Sequence, residues 1–266
     1  MNKLDNLFKL MWNDYIKMNP QAQNIVELLQ GEGETVVNDH IALRTYDFPE
    51  VTIDKIAAPF VESGYKEMQT YDFEQKKLFA KHFEHEDERR PKVFISELLT
   101  KNFSEQAQKI MHQKMSSLTQ KQVGDFNFMV SGRSWGITSE EYNLLSGESE
   151  YAAWVAAIGF RPNHFTVFIN ELKKFSELEK LNAFLKDNGF KLNSSGGEIK
   201  GGPDQFLEQS STMADSIDVE MDDTTLNIPS CYFEFAKRYP LANGKLYQGF
   251  VATSADKIFE STDRSK

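Results

Sequence analysis

The spacing of hydrophobic and polar positions predicts two helices at the start of the chain and a strand after them. Over residues 3–30 apolar residues recur every three or four positions, as on one face of a helix, and Asn19-Pro20 breaks the stretch in two. The period changes after Gly33, where residues 36–46 form a short apolar run followed by turn residues. This run is typical of a buried strand.

A helix and three more strands complete the first half of the pattern. Residues 53–63 have the spacing of an amphipathic helix, and Gly64 lies where helices favour a glycine, just past the last turn. Three further strands are predicted at residues 65–71, 77–83 and 92–96. The predicted order is therefore strand, helix, strand, strand, strand.

The same order returns after a helical stretch with Gln- and Lys-rich faces at residues 102–154. A strand is predicted at residues 163–169, and a helix follows at residues 175–188, where Gly189 closes it. Three strands are then predicted at residues 198–200, 206–211 and 231–236. The two halves share no convincing sequence identity, but a histidine opens the first strand of each.

We therefore predict an α+β fold in which two βαβββ modules form a half-open mixed β barrel around a shared cleft, with an added helical layer. The 266 residues form a single domain in this interpretation. Its parts are N-terminal helices at residues 1–34, a first module at 35–100, a helical insertion at 101–160, and a second module with the C-terminal tail at 161–266.

The charge balance narrows the classes of partner. The chain has 30 Lys and Arg against 40 Asp and Glu, a net charge of −10, and it contains no block of basic residues. Binding to nucleic acid or to an anionic membrane needs such a block, because phosphate groups must be neutralised. We expect neither partner, whereas a homodimer stays open.

Cysteine usage and the N-terminal residues bear on the compartment. Cys231 is the only cysteine, which excludes an internal disulfide and a thiolate zinc cluster. Asp5 and Lys9 interrupt the apolar residues at positions 1–10, so these do not form a secretory signal. No apolar run approaches the ~20 residues of a membrane span. We expect a cytoplasmic protein.

Two histidines and one glutamate are the candidate metal ligands. His40 and His164 each begin the first strand of a module, and Glu234 lies in the last strand of the second. Two imidazoles and a carboxylate on one face of a metal leave the opposite face open for substrate and oxygen. This ligand set suits non-haem Fe(II), with Mn(II) or Zn(II) as look-alikes.

Three further residues are candidates for binding substrate. Alternate residues of a strand share a face, so Arg44 points the same way as His40, with the small Ala42 between them. An arginine in this position can hold a substrate carboxylate through two parallel hydrogen bonds. Gln209 and Ser211 end a strand that faces the predicted cleft, where they can bind substrate oxygens or form a turn.

Each candidate also has a purely structural explanation. A lone histidine at a strand start is often a hydrogen-bonded structural residue, Glu234 can pair with Lys237 or Arg238, and Arg44 can lie at the surface. His82 and His85 precede a charged stretch and are predicted to lie in a solvated hairpin loop. The remaining candidates are expected to be structural: His112 exposed on a polar helix, and Cys231 packed within a strand.

Four pieces of the chain, at residues 38–45, 162–166, 232–235 and 249–250 with 255–262, resemble the 2-oxoadipate dioxygenase/decarboxylase family of the vicinal oxygen chelate superfamily. The resemblance implies that His40, His164 and Glu234 bind Fe(II), for which zinc, nickel or manganese can substitute in a purified sample. It also implies that Arg44 holds the substrate, and that 2-oxoadipate and dioxygen become 2-hydroxyglutarate and carbon dioxide.

The expected function is therefore that of an Fe(II)-dependent dioxygenase and decarboxylase of a 2-oxo dicarboxylic acid, with dioxygen as co-substrate. One alternative is a glyoxalase-like metal-dependent isomerase or hydrolase, in which Glu97, after the last strand of the first module, is a fourth ligand or a base. The other is a metal-free module that binds a small molecule in the same cleft.

Overall fold

The structure, a computed structural model, describes residues 2–262. Its helices are α1 Lys3–Met18, α2 Pro20–Gly31, α3 Ile53–Glu62, α4 Glu105–Ser116, α5 Gln120–Val123, α6 Ser139–Glu148, α7 Glu150–Ile158, α8 Leu178–Asp187 and α9 Ala252–Ile258. Its strands are β1 Asn38–Tyr46, β2 Tyr65–Phe73, β3 Leu78–His85, β4 Lys92–Leu98, β5 Pro162–Phe168, β6 Lys200–Gly202, β7 Leu207–Ser211, β8 Ser216–Glu220, β9 Thr225–Pro229 and β10 Tyr232–Arg238. No helix within this described range is long and apolar enough to span a membrane.

The main sheet shows the predicted duplication. Its eight strands follow the order β2-β3-β4-β1-β5-β10-β7-β6. In the first module β1 pairs in parallel with β4, and β3 runs antiparallel to both β4 and β2. In the second module β5, β10, β7 and β6 repeat this arrangement, and β1 and β5 join the modules as an antiparallel pair. The prediction of two βαβββ modules in a curled half-barrel sheet is confirmed.

The strand ends agree with the sequence pattern to within one or two residues, but one hairpin was missed. β8 and β9 form a separate two-stranded sheet, inserted between the third and fourth strands of the second module. Its residues alternate between exposed and half-buried positions, which is a weak signal in a polar stretch. Contacts with the helical insertion hold it, including a hydrogen bond from the Arg133 guanidinium to the Glu220 carbonyl.

The helices at the start form as two pieces because their ends are capped separately. The Asn2 side chain accepts a hydrogen bond from the Asp5 backbone N–H, which caps α1. The Asn19 backbone N–H closes α1 onto Tyr15, and Pro20 then begins α2, where a proline needs no N–H donor. The break that Asn19-Pro20 predicts is therefore confirmed.

The two faces of the central strands meet different layers. On one face, α1 packs its aromatic side chains on the sheet, with the Trp12 and Tyr15 rings 5.1 and 5.0 Å from Phe165. The opposite, concave face carries polar side chains and is covered by α7 and by residues 249–262. The concave face is therefore both buried and polar.

One glycine contact tests how the end of α7 packs against the rest of the helical insertion. Gly159 ends α7 with φ +80° and ψ −156°, and a Cβ there would come within 2.3 Å of the Gly132 backbone. We expect Gly159→Ala to lower the free energy of unfolding by more than about 3 kcal/mol, since strain and a backbone clash add. Gly189→Ala is the matched control, because its φ is +86° but its Cβ would meet nothing within 4 Å. It should lose only about 1–2 kcal/mol. Equal losses in denaturant unfolding would show that the close approach at Gly159 is wrong.

Candidate metal centre

The strand register brings the two module-opening histidines and the glutamate together. His40 lies opposite Thr166 in the β1–β5 pair, and Thr166 lies opposite Glu234 in the β5–β10 pair. His164 lies one row along the same face, two residues before Thr166 on β5. Three side chains that are distant in sequence therefore converge at the junction of the two modules, and each is at most 4% exposed.

The facing atoms have the spacing of ligands around one metal ion. The His40 Nε2 lies 3.6 Å from one Glu234 carboxylate oxygen, and the His164 Nε2 lies 3.2 Å from the other. Two ligands about 2.1 Å from a metal and at right angles to each other are roughly 3 Å apart. Among residues 2–262 this is the group of metal-ligating side chains whose donor atoms all lie within 4.8 Å of one another. The arrangement can hold one metal ion.

An acidic or amide side chain orients each imidazole. The His40 Nδ1 lies 2.8 Å from the Asp39 carboxylate, and the His164 Nδ1 lies 3.1 Å from the Asn163 side-chain oxygen. Each oxygen accepts a hydrogen bond from the Nδ1–H, so Nε2 carries the lone pair that a metal can bind. At His40 that lone pair faces the Thr166 hydroxyl, 3.1 Å away. The residue before each histidine thus performs the same task in both modules. That repeat was visible in the sequence, but its role was missed.

The charge on Asp39 is balanced by an arginine that the sequence offered as a partner for Glu234. The Arg238 Nε and Nη2 donate to the two Asp39 oxygens at 2.6 and 2.8 Å. Burial alone would raise the pKa of Asp39, but the charges of Arg238 and Lys92, together with hydrogen bonds from Arg238 and His40, hold that pKa well below its ordinary value. Lys237 pairs instead with Glu177. Neither Lys237 nor Arg238 therefore forms an ion pair with Glu234.

Burial makes all three candidate ligands neutral in the metal-free protein near pH 7. It raises the pKa of Glu234 to about 8, against the hydrogen bond that Gln209 Nε2 donates to the carboxylate at 2.6 Å. Burial also lowers the pKa of His40 and, more strongly, that of His164. A bound cation would favour the ionised carboxylate and the neutral imidazoles. The donor set therefore fits a divalent metal.

Arg44 is buried beside the metal candidates and does not lie at the surface. Its Nη1 is 3.4 Å from the Glu150 carboxylate, and its Nη2 donates to the Thr262 hydroxyl at 3.3 Å. The guanidinium carbon lies 4.8 Å from the centre of the Tyr151 ring and 5.2 Å from that of Trp154, which fixes its plane. A cavity of about 670 Å³ lies on this side, with Glu150 and Thr262 in its wall.

The two other predicted substrate-binding residues have protein partners. Gln209 holds the Glu234 carboxylate through its Nε2, and its Oε1 has no partner among the described residues. The Ser211 hydroxyl lies 2.9 Å from the hydroxyl of Ser261 in the C-terminal segment. Their assignment to substrate stays a prediction, but Gln209 has an evident role in orienting Glu234.

Glu97 lies outside the metal group. Its carboxylate accepts a hydrogen bond of 3.0 Å from the Ile53 backbone N–H, where it caps the start of α3. It follows Ser96 on β4, and successive strand residues point to opposite faces, so the Glu97 side chain points away from the concave face that holds Ser96. A role as fourth ligand or base has no support in this arrangement.

The prediction that His82 lies in a solvated loop is wrong. β3 continues to His85, and His82 is 2% exposed, with Nδ1 2.9 Å from the Tyr71 hydroxyl and Nε2 2.9 Å from Glu84. Phe250 covers it, since the two rings are 5.3 Å apart. The charged loop begins only after His85.

The remaining two candidates behave as structural residues. His112 is exposed, as expected. Cys231 is fully buried, and burial raises the pKa of its thiol to about 12, so it is not a nucleophile at neutral pH.

Known proteins similar to this chain carry related names. The family model described as 2-oxoadipate dioxygenase/decarboxylase matches residues 2–247. A chloroplastic 2-oxoadipate dioxygenase/decarboxylase of Arabidopsis thaliana is 36% identical over 278 residues, which cover 93% of this chain and 74% of the relative. The crystal structure of a hydroxyglutarate synthase from Oryza sativa, in complex with 2-oxoadipate, has a TM-score of 0.92 at 34% identity, and it covers 100% of this chain and 95% of its own.

Two further solved structures share the fold. A protein of Shewanella frigidimarina, provisionally called a hydrolase, has a TM-score of 0.90 at 52% identity, covering 95% of this chain and 99% of its own. A protein of Ralstonia eutropha, provisionally assigned to the glyoxalase superfamily, has a TM-score of 0.72 at 19% identity, covering 92% of this chain and 84% of its own. The second likeness shows the fold alone.

The raised pKa of Glu234 predicts that the stability of the metal-free protein depends on pH. Between pH 4.5, the ordinary pKa of this carboxyl group, and about pH 8, the unfolded chain releases a proton that the folded chain keeps. The free energy of unfolding of wild type therefore falls as the pH rises. Glu234→Gln mimics the protonated acid and avoids this loss. Its free energy of unfolding relative to wild type should grow by about 1.4 kcal/mol per pH unit between pH 5 and 8. Urea titrations after metal chelation measure this difference, and a flat difference would contradict the raised pKa.

Proposed function

Because the chain belongs to the 2-oxoadipate dioxygenase/decarboxylase family, we propose that it is an Fe(II)-dependent enzyme that converts 2-oxoadipate and dioxygen into 2-hydroxyglutarate and carbon dioxide. The observation that carries the proposal is the buried group of His40, His164 and Glu234. The complex of the similar Oryza sativa enzyme with 2-oxoadipate supports the choice of substrate.

Three protein ligands on one side match the needs of this reaction. His40 and His164 would hold the metal through Nε2, and Glu234 through its carboxylate. When bound there, Fe(II) supplies a centre that can take up both a 2-oxo acid and dioxygen at its open positions. Asp39 and Asn163 would keep the two imidazoles in the required tautomer and orientation.

Arg44 would bind the carboxylate at the far end of the substrate. His40 and Arg44 are four residues apart on β1, about 13 Å along an extended strand, and the arginine side chain reaches part of the way back. Ala42 lies between them on the same face and leaves room for a carbon chain. The distance between the metal ligands and Arg44 would therefore favour a dicarboxylic acid of medium length.

Aromatic side chains would exclude water from the reacting groups. The Phe250 ring is 4.8 Å from His40, and the Tyr232 ring is stacked on His164 at 4.6 Å. Both aromatic residues are nearly or fully buried. A dry site strengthens the attraction between Arg44 and a carboxylate and protects reactive species from solvent.

A metal-dependent hydrolase is the second candidate, because the similar Shewanella frigidimarina protein was provisionally called a hydrolase and the His40, His164 and Glu234 group can hold a metal. A hydrolase needs a base beside the metal-bound water. Glu97, which the sequence offered for this role, caps α3 instead. This position favours the dioxygenase.

A cytoplasmic location stays a prediction, and assembly as a homodimer stays open. The similar plant enzymes are named chloroplastic, or chloroplastic and amyloplastic.

The proposal predicts that dioxygen uptake and carbon dioxide release rise together when iron-loaded protein receives 2-oxoadipate. Carbon dioxide takes the substrate's own carboxylate, so both atoms of ¹⁸O₂ should appear in 2-hydroxyglutarate, one in its new carboxylate and one in its hydroxyl. An oxygen electrode and mass spectrometry measure these quantities.

The matched control for this experiment is Glu97→Gln, which should keep iron and turnover. Turnover without dioxygen, or with zinc in place of iron, would instead establish the hydrolase or isomerase. Absence of oxygen uptake with every 2-oxo acid of about four to seven carbons would refute the proposal.

A further inference from the structure

We infer that the Tyr232 hydroxyl binds the far carboxylate of the substrate together with the Nε–H of Arg44, and so sets the preference for dicarboxylic over monocarboxylic 2-oxo acids. The inference rests on the proposed function and adds a specificity-determining residue to it.

The register of the sheet places Tyr232 between the metal ligands and Arg44. Tyr232 lies opposite His164, and His164 lies opposite Ala42, so these three residues form one row across β10, β5 and β1. The row on one side contains His40 and Glu234, and the row on the other side contains Arg44. A substrate that reaches from His40 and Glu234 to Arg44 therefore crosses the row that contains Tyr232.

Two buried donors in this space have no partner among residues 2–262. They are the Tyr232 hydroxyl, on a side chain with no exposed surface, and the Nε of Arg44, which is 1% exposed. A buried donor without an acceptor costs roughly 1–3 kcal/mol, so most buried donors in proteins have one. A ligand that accepts both hydrogen bonds removes this cost.

The other edge of the Arg44 guanidinium is already engaged. Nη1 faces the Glu150 carboxylate, and Nη2 donates to the Thr262 hydroxyl. Glu150 and Thr262 therefore hold the guanidinium from the side of the cavity. The Nε–H remains available to the substrate, and the substrate can bind there without displacing Glu150.

A carboxylate is the acceptor that suits both donors at once. It has two oxygens, so one can accept from Arg44 Nε and the other from the phenol of Tyr232. The oxygens of the 2-oxo acid group have the metal as their partner in the proposed complex. The far carboxylate has no metal and needs donors from the protein. A monocarboxylic acid of the same length would leave both donors unpaired, which is a strong basis for rejecting it.

The test compares Tyr232→Phe with wild type for two acids of equal chain length, 2-oxoadipate and 2-oxohexanoate, which lacks the far carboxylate. Calorimetry on iron-loaded protein without dioxygen measures the Kd of each acid and the iron content. We expect the Kd of 2-oxoadipate to rise at least tenfold, since hydrogen bonds to charged groups are strong. The Kd of 2-oxohexanoate and the iron content should stay unchanged, and kcat/KM for 2-oxoadipate in air should fall in parallel with binding.

Two further variants make the result specific. Arg44→Lys should weaken 2-oxoadipate selectively as well, because it removes Nε–H. Tyr46→Phe removes a buried hydroxyl that the Ala152 carbonyl already satisfies, so it should lower stability and leave the ratio of the two Kd values unchanged.

Each other outcome overturns the inference. Equal losses for both acids in Tyr232→Phe would place the phenol at the 2-oxo acid end, and unchanged binding of 2-oxoadipate would show that the phenol does not contact the substrate. If iron-loaded wild type binds neither acid, the proposed function fails and the inference fails with it.

Discussion

A buried carboxylate without a protein cation beside it is the constraint on which the site depends. Glu234 is 1% exposed, and its ion-pair partners within 4 Å, in the part of the chain that the structure describes, are the two imidazoles of His40 and His164. Burial raises the pKa of Glu234 to about 8, so the metal-free protein keeps a proton there at neutral pH. A divalent metal would replace that proton and make the three groups mutually favourable.

The duplication of the module explains why two of the candidate ligands come from equivalent positions. Antiparallel pairing of β1 with β5 places the histidine at the third position of each strand on the concave face, and the preceding side chain holds its Nδ1. The modules differ in charge at that preceding position. Asp39 needs Arg238, whose guanidinium also donates to the carbonyls of Tyr247 and Gly249, directly before Phe250. One arginine thus links the orientation of His40 to the segment that covers it.

The periodicity of the sequence was sufficient for the succession of strands and helix in the two modules, and the histidine that opens each module pointed to the metal candidates. Both signals are local, because a strand of alternating or continuous apolar residues can be recognised without its neighbours. Contacts between distant segments were not predictable in this way. Phe250 packs on His82, Asp39 forms an ion pair with Arg238, and Gln209 donates a hydrogen bond to Glu234. No spacing in the sequence links the members of these pairs. The resemblance to a family supported the candidate ligand set, but it did not reveal these supporting contacts.

Metal binding by the three side chains is the central claim, and an anaerobic titration with Fe(II) tests it most directly. We expect one iron per chain in wild type and loss of that iron in His164→Ala, with the fold retained as judged by circular dichroism. His82→Ala is the comparison, because it removes another buried histidine outside the group, and it should keep its iron even if its stability falls. Full iron occupancy in His164→Ala, or equal loss of iron in both variants, would contradict metal binding by these three side chains.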